Sequence, residues 1–445
     1  MKFNTYKGKM WMCMSFLLFT INTHAQDPRR PQKLTLDEVW SLADSNSKRI
    51  QIQQVAVSTT EAGIKAARAE RLPELEAGGV LAHIFPLPIF ENGLFHTPTQ
   101  FPVEPKYYKV AADAYLNLSN GGKTEREIKA SKKENEIALA KMSLSKQEIH
   151  YAAALYFYDV YRNLSYKSLL LQDVKDLEQQ LKEINHLYKN GTVLKSDVLR
   201  AELRLSRQKM MLTEIQNNQL IASQKLNLLI GAGDDDSLIP EVKDSLNDAL
   251  VLKQMDQYLS EADVHSYQLD ISKKESELQE LKLKQLRSNV MPSLGLFAEY
   301  AYAYPQIQFY PYSLAPYGNG MAGLKLKIPI AAFYKNKHQV AMQQLRVHQS
   351  ELADEEERDN IRQEVKTTYI KYRESLQRID VATENIRQAS ESYRIVQNTY
   401  FNQLSLLTDL LDAETQLLQS RFELTTAKVN ARIQYYQLQK AVGTL

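Results

Sequence analysis

The protein has 445 residues, a net charge of +2 at neutral pH and 24% charged residues. The small net charge and the absence of a run rich in lysine and arginine argue against nucleic acid as a partner. The length alone would suggest two or three globular domains. With only 15 glycines and 14 prolines, however, the composition favours a less compact protein.

The first 25 residues form a separate unit. Lys2, Lys7 and Lys9 precede the apolar run WMCMSFLLFTI, and the small residue Ala25 follows it. This pattern predicts a secretory signal peptide, residues 1–25, cleaved after Ala25. A short membrane anchor is the alternative, but the run is too short to span a bilayer. Cleavage removes Cys13, the only cysteine, and leaves a mature chain without disulfides or thiol chemistry.

The first half of the mature chain, 26–233, combines two strand patterns with a helical one. Apolar and polar residues alternate over about 74–85 and 107–118, each the length of a tilted transmembrane strand. From 123 to 231 there is no proline, which predicts a long helical hairpin. Asn190 and Gly191 predict a tight turn at its tip, about 189–197.

A linker, 234–248, leads to a second half, 249–445, with the same pattern. Strands are predicted at about 293–304 and 319–330, and a helical hairpin at 335–442 with its tip at about 401–409. Both hairpins carry apolar residues at seven-residue spacing, which predicts coiled-coil seams. The spaced positions are Val198, Leu205, Leu212, Gln219 and Leu226 in the first hairpin, and Leu410, Leu417, Leu424, Ala431 and Leu438 in the second.

The two halves are copies of one unit. Residues 188–202 read YKNGTVLKSDVLRAE and residues 400–414 read YFNQLSLLTDLLDAE. Four strands per chain cannot close a barrel, and an open sheet edge cannot lie in lipid because its backbone groups would be unpaired. If the strands enter a membrane, several chains must therefore share one barrel, and this argument leaves their number open. A soluble hairpin packed on the helices is the alternative for the strands.

Alternation assigns the strand residues to two faces. The predicted lipid face comprises Tyr108, Val110, Leu116, Leu294, Leu296, Tyr300, Leu324, Leu326 and Ile328. The predicted lumen face of the barrel comprises Lys109, Asp113, Lys325 and Lys327. Tyrosines crowd the strand ends and loops, as in the aromatic girdle of a membrane barrel.

The duplicated order and the tip pattern Y-x-x-G-x-x-x-x-x-D-V-L-x-A-E resemble the TolC family of outer-membrane efflux and secretion channels. The resemblance covers nearly the whole mature chain. It implies a mixed α/β fold in which three chains form a 12-stranded β-barrel continuous with a periplasmic α-barrel. It also implies a passive exit duct in the outer membrane of a Gram-negative bacterium, serving tripartite efflux or type I secretion without a cofactor. The implied partners are a second and third copy, outer-membrane lipid, a periplasmic adaptor and an inner-membrane transporter, with drugs, metals and polypeptides all open as cargo.

The resemblance also implies a gate at the periplasmic tips. Asp409 and Asp412 match the aspartates that ring the aperture, and Tyr400 and Asp197 match residues that lock the hairpins together. Ser405 stands where the resemblance leads us to expect an arginine of this lock, which leaves open whether Ser405 takes its place. The implied adaptor-contact residues are Asn190, Gly191, Thr192, Val193, Leu194, Asn402, Gln403, Leu404 and Ser405. The alternative for the two aspartates is an ordinary position near a helix N-terminus, where the helix dipole favours acidic residues.

The sequence offers no converging catalytic groups. The eight histidines show no metal-ligand spacing, and the run Asp234–Asp236 lacks the spaced ligands of a calcium loop and is better interpreted as a solvated linker. We therefore expect a protein that is not an enzyme and holds no metal. A secreted or periplasmic coiled-coil scaffold without a pore is the alternative function.

Overall fold

The computed structural model describes residues 32–233, 236, 238–242, 252–307 and 311–445. The predicted signal peptide, 1–25, and most of the predicted linker, 234–248, lie outside the described residues. The helices are α1 (Leu36–Asn46), α2 (Lys48–Ala69), α3 (Lys123–Lys189), α4 (Lys195–Ile230), α5 (Met255–His265), α6 (Tyr267–Arg287), α7 (Ala332–Phe401) and α8 (Leu407–Val442). The strands are β1 (Gln32–Leu34), β2 (Glu74–His83), β3 (Leu87–Ile89), β4 (Thr99–Phe101), β5 (Lys106–Ser119), β6 (Leu238–Pro240), β7 (Ser293–Tyr304) and β8 (Tyr317–Lys327).

The element order repeats in the two halves of the chain. Helices α5 and α6 and strand β7 begin 219 residues after α1, α2 and β2, and α8 lies 212 residues after α4 at both ends. The offset between equivalent residues changes from 219 to 212 within the loop that joins the two long strands of each half. In the first half this loop is longer and contains the small antiparallel pair β3–β4.

Two very long helices set the length of the molecule. Helix α3 has 67 residues and α7 has 70, and each is on the order of 100 Å long at about 1.5 Å per residue. The described helices pack as α3 on α4, α7 on α8, and α3 on α8. The α3–α8 contact joins the two hairpins side by side, and the seven-residue apolar positions Val198, Leu226, Leu410 and Leu438 are buried in these seams.

Two apolar cores brace the helices away from their tips. The first joins α1, α2, α3, α4 and α8 around Ile50, Phe157 and Leu226, and the second surrounds Tyr258, Tyr372 and Leu438. A Thr35–Glu38 capping box starts α1, and the parallel pair β1–β6 lies beside this first core. These three-residue strands were not predicted, because so short a segment carries no readable alternation.

The long strands form one antiparallel sheet in the order β2-β5-β7-β8. The four strands agree with the predicted number, and the strand at 293–304 has the predicted bounds. The last strand is shifted, since it covers Tyr317–Lys327 and not 319–330. Pro329, which has no N–H to donate, stands just beyond its end. Ile328 was therefore wrongly placed within a strand.

Candidate gate at the hairpin tips and the two faces of the sheet

The first hairpin tip is a turn that glycine makes easy. Helix α3 ends at Lys189, and Gly191 follows with a φ of 74°, in the left-handed region where a glycine has no steric penalty. The N–H of Thr192 donates to the carbonyl of Leu187 at 2.9 Å. At the start of α4, the Asp197 carboxylate accepts the N–H of Leu194 at 3.3 Å. Asp197 therefore caps a helix N-terminus.

The second tip repeats this geometry without the glycine. Gln403 has a φ of 64°, and the N–H of Leu404 donates to the carbonyl of Thr399 at 2.8 Å. The Asp409 carboxylate accepts the N–H of Leu406 at 3.2 Å and caps α8. Ser405 accepts a hydrogen bond from the Thr399 hydroxyl at 3.2 Å, so its bond lies within its own tip.

The structure brings Tyr400 and Asp197, two residues of the predicted lock, close together. Tyr400 is buried in a cluster with Ile184, Val198 and Leu410, which come from both hairpins. Burial raises the pKa of the Tyr400 hydroxyl, and the nearby negative charge of Asp197 raises it further. The hydroxyl has no hydrogen-bond partner among the described residues. In this structure the contact between the tips is therefore mainly apolar.

The two predicted aperture residues, Asp409 and Asp412, are both exposed on the first turns of α8. Asp409 serves the helix cap and still presents its charge to solvent. In the first tip, the position equivalent to Asp412 holds Arg200, which is also exposed. The second tip is therefore the more acidic of the two.

A group of ionisable residues around the buried Glu414 lies along the helices that lead away from the tips, and residue spacing did not predict it. Glu414 of α8 is only 6% exposed. Burial is the main cause that raises the pKa of its carboxyl to about 7, and the negative charge of Asp173 adds to it. The seven-residue spacing could have predicted this burial. Glu414 lies between the seam residues Leu410 and Leu417, which places it at the edge of the seam.

The sheet register collects apolar residues on one face. Leu116 lies opposite Leu296, which lies opposite Leu324, and Leu294 lies opposite Leu326. Val110 lies opposite Tyr302, and Tyr108 stacks on Tyr304 with ring centroids 5.1 Å apart. Tyr300 lies on the same face and covers Gly318 and Gly320 of β8. The predicted lipid-face residues other than Ile328 thus share one side of the sheet, because side chains alternate along a strand.

The opposite face carries the charged residues. Lys109 forms an ion pair with Glu299 at 3.3 Å, and Asp113 lies directly opposite Glu299. Lys325 and Lys327 of β8 occupy this face too. The register adds Glu74 and Glu76 of β2 to it, two acidic residues that the predicted lumen set left out.

In the part of the chain that the structure describes, no group of three or more His, Cys, Asp or Glu side chains is arranged to hold a metal ion. Among the helices of the described ranges, none combines the length and the apolarity needed to cross a membrane.

The sequence profile of the outer membrane efflux protein family matches residues 39–232 and 241–444, which is most of the chain. The chain belongs to the outer membrane efflux protein family. This assignment confirms the predicted resemblance, the outer-membrane location and the role of an efflux exit duct in place of an enzyme. It favours the duct over the alternative of a scaffold without a pore.

Solved structures of outer-membrane channels have the same fold as this efflux protein. The outer membrane protein VceC of Vibrio cholerae matches with a TM-score of 0.73 and 16% identity over 92% of this chain and 96% of that chain. The CmeC channel of Campylobacter jejuni matches with a TM-score of 0.73 and 13% identity over 92% and 85%. The open-state MtrE channel of Neisseria gonorrhoeae gives 0.71 and 16% over 92% and 88%. No curated protein matches the sequence.

Proposed function

We propose that three copies of this chain form one duct, with a 12-stranded barrel in the outer membrane and a helical tunnel in the periplasm. The observation that carries the proposal is the four-stranded sheet. Within the described chain, β2 and β8 are paired on one side only, and backbone groups left unpaired in lipid are very costly. Pairing β8 of one copy with β2 of the next satisfies both edges.

The helices support the same assembly. Helix α4 exposes Leu199, Leu203, Met210 and Leu228, and the half of α7 nearer the tip exposes Val381 and Ile395. In the order α4-α3-α8-α7, these two helices lie at the outer ends of the chain, so they meet when copies stand side by side. Burying apolar side chains of this kind stabilises an assembly by about 25 cal/mol per Å².

The hairpin tips are the proposed contact with a periplasmic adaptor, which links the duct to an inner-membrane transporter. Leu194, Leu404 and Leu406 are 71%, 78% and 69% exposed at the tips. Exposed leucines grouped at the end of a helical hairpin suit apolar docking by a partner. The proposed gate is the ring of Asp409 and Asp412 from three copies, which places six carboxylates around one opening and favours cations.

The assembly is tested by substitutions on the two faces of β8. Leu324→Lys places a charge on the proposed lipid face and should cost roughly 2–4 kcal/mol of barrel stability. Met321→Lys places the same charge on the opposite face of the same strand, where it meets Glu299, and should be tolerated. Detergent-extracted trimers and conductance in planar bilayers are the measurements. Equal loss of trimers and of conductance in both variants would contradict the assignment of the faces, and absence of conductance in well-folded wild-type trimers would contradict the duct.

A further inference from the structure

The carboxyl group of Glu414 lies in the contact between the two hairpins without a partner of its own. Glu414 is 6% exposed, and its Oε2 atom has no hydrogen-bond partner among the described residues. An ionised carboxylate in such a place is costly, because water is excluded and no donor replaces it. The side chain belongs to α8, one element of the α3–α8 contact that joins the hairpins.

Ionisable groups face Glu414 from each neighbouring helix. Asp173 and Asp176 of α3 add negative charge, and Arg204 of α4 opposes it. Tyr393 of α7 contributes a hydroxyl, and Arg421 of α8 lies beside Asp173. The buried Nε and Nη2 atoms of Arg204 have no hydrogen-bond partner in the described part of the chain. The carboxyl groups of Asp173, Asp176 and Glu414 thus lie near the guanidinium groups of Arg204 and Arg421. Among these described residues, neither arginine forms a hydrogen bond with Glu414.

The first repeat has no such group. Glu202 stands at the position equivalent to Glu414, at the offset of 212 residues that relates α4 to α8. Glu202 is exposed. Burial of this glutamate is therefore a property of the second hairpin alone, which is the one proposed to carry the gate.

We propose that Glu414 is a proton-sensitive latch between the two hairpins. With its carboxyl neutral, α8 packs against α3 near the tips. Loss of the proton places a charge beside Asp173 and Asp176 and favours separation of the hairpins. This inference rests on the proposed gating at the tips. It adds that the pH of the solution around the tips regulates that gate.

The direction of the effect follows from the two protonation equilibria. In the packed state the pKa of Glu414 is raised from 4.5 to about 7, whereas in the separated state the exposed carboxyl returns to its ordinary value. Packing is therefore strongest below the ordinary value, weakens as pH rises from about 4.5 to about 7, and stays weak above that. A rise in pH opens the contact and acidification closes it.

Conductance of the full-length protein in planar bilayers tests the latch, with wild type, Glu414→Gln and Glu202→Gln compared between about pH 5 and about pH 8. The open-to-closed ratio of the wild type should rise by about 70-fold over this range, out of about 300-fold for the whole difference between the two pKa values, since each unit of pKa difference is a tenfold change. Glu414→Gln mimics the neutral form and should stay closed at every pH. Glu202→Gln should keep the wild-type profile.

A distance measurement tests the latch independently of channel conductance. Spin labels on cysteines introduced at the exposed Gln179 of α3 and Gln416 of α8 report the gap between the hairpins, since the mature chain, once the predicted signal peptide with Cys13 is removed, has no other cysteine. The gap should widen with rising pH in the wild type and remain constant in Glu414→Gln. A wild-type pH profile in Glu414→Gln, or a gap that ignores pH in the wild type, overturns the latch. A wild type that never conducts while the gap responds to pH contradicts the duct and leaves the latch supported.

Discussion

The two hairpin tips have the same backbone geometry but place different side chains on it. The first turns through Gly191 and the second through Gln403, at φ values of 74° and 64°. Tyr188 of the first tip is 41% exposed, whereas the equivalent Tyr400 is 6% exposed and packs between the hairpins. The two tips therefore share the turn, while only the second has a buried tyrosine and the additional acidic residue, Asp412.

The buried tyrosine gives the largest expected difference between the tips. Tyr400→Ala removes a ring from the cluster with Val198 and Leu410 and should destabilise the closed tips by roughly 3 kcal/mol, as other large-to-Ala changes in cores do. Tyr188→Ala, at the exposed equivalent position, should change the stability of its tip by less than about 1 kcal/mol. Hydrogen exchange of the α7–α8 turn measures the effect of Tyr400→Ala, and hydrogen exchange of the α3–α4 turn measures the effect of Tyr188→Ala. Similar exchange rates in the two variants would mean that the tips do not differ in packing.

The capping aspartates give a smaller effect, which should be equal in the two tips. Asp409→Ala and Asp197→Ala each leave a helix N-terminus without its acceptor and should cost about 1 kcal/mol. Asp409→Asn keeps an oxygen in place and should restore most of this loss. Local unfolding of α8 and α4, followed by hydrogen exchange, checks the prediction. An Asn variant as unstable as the Ala variant would show that the charge, and not the hydrogen bond to Leu406, is what stabilises the helix.

The turn residue gives the smallest effect. Gln403→Gly relieves a left-handed backbone that costs a side chain roughly 1 kcal/mol, although the greater freedom of glycine in the unfolded chain offsets part of the gain. Gly191→Gln should destabilise the first tip by a similar amount. Chemical denaturation of the isolated trimers, with hydrogen exchange at each turn, provides the measurement. A destabilising Gln403→Gly would indicate that the glutamine side chain makes contacts that offset its strained backbone.

Much of this fold was readable from residue spacing. The period of two marked the four long strands, and the period of seven together with the absence of proline marked the hairpins. The apolar residues that alternation grouped together, other than Ile328, share one side of the sheet; a one-residue shift in register would have moved every side chain to the other side. The end of β8 was misjudged at Ile328, since the apolar alternation continues past the last paired residue.

The sequence was less informative where the two repeats differ in burial. Tyr188 and Tyr400 occupy equivalent positions, and only the contact between α3 and α8 decides which of them is buried. The same is true of Glu202 and Glu414. The left-handed turn at Gln403 was also hidden, because glutamine rarely adopts that conformation and only the match to Gly191 pointed to it.

Cation block of the conducting protein in planar bilayers tests the gate at the second tip most directly. The double variant Asp409→Asn with Asp412→Asn removes the charge of the second tip while an oxygen remains to cap α8. Asp197→Asn makes the same change in the first tip, where Asp197 lies beside the buried Tyr400. Block by multivalent cations should fall at least tenfold in the double variant, which corresponds to about 1.4 kcal/mol, and should be unchanged in Asp197→Asn. Equal block in the wild type and the double variant would contradict the assignment of the gate to the second tip.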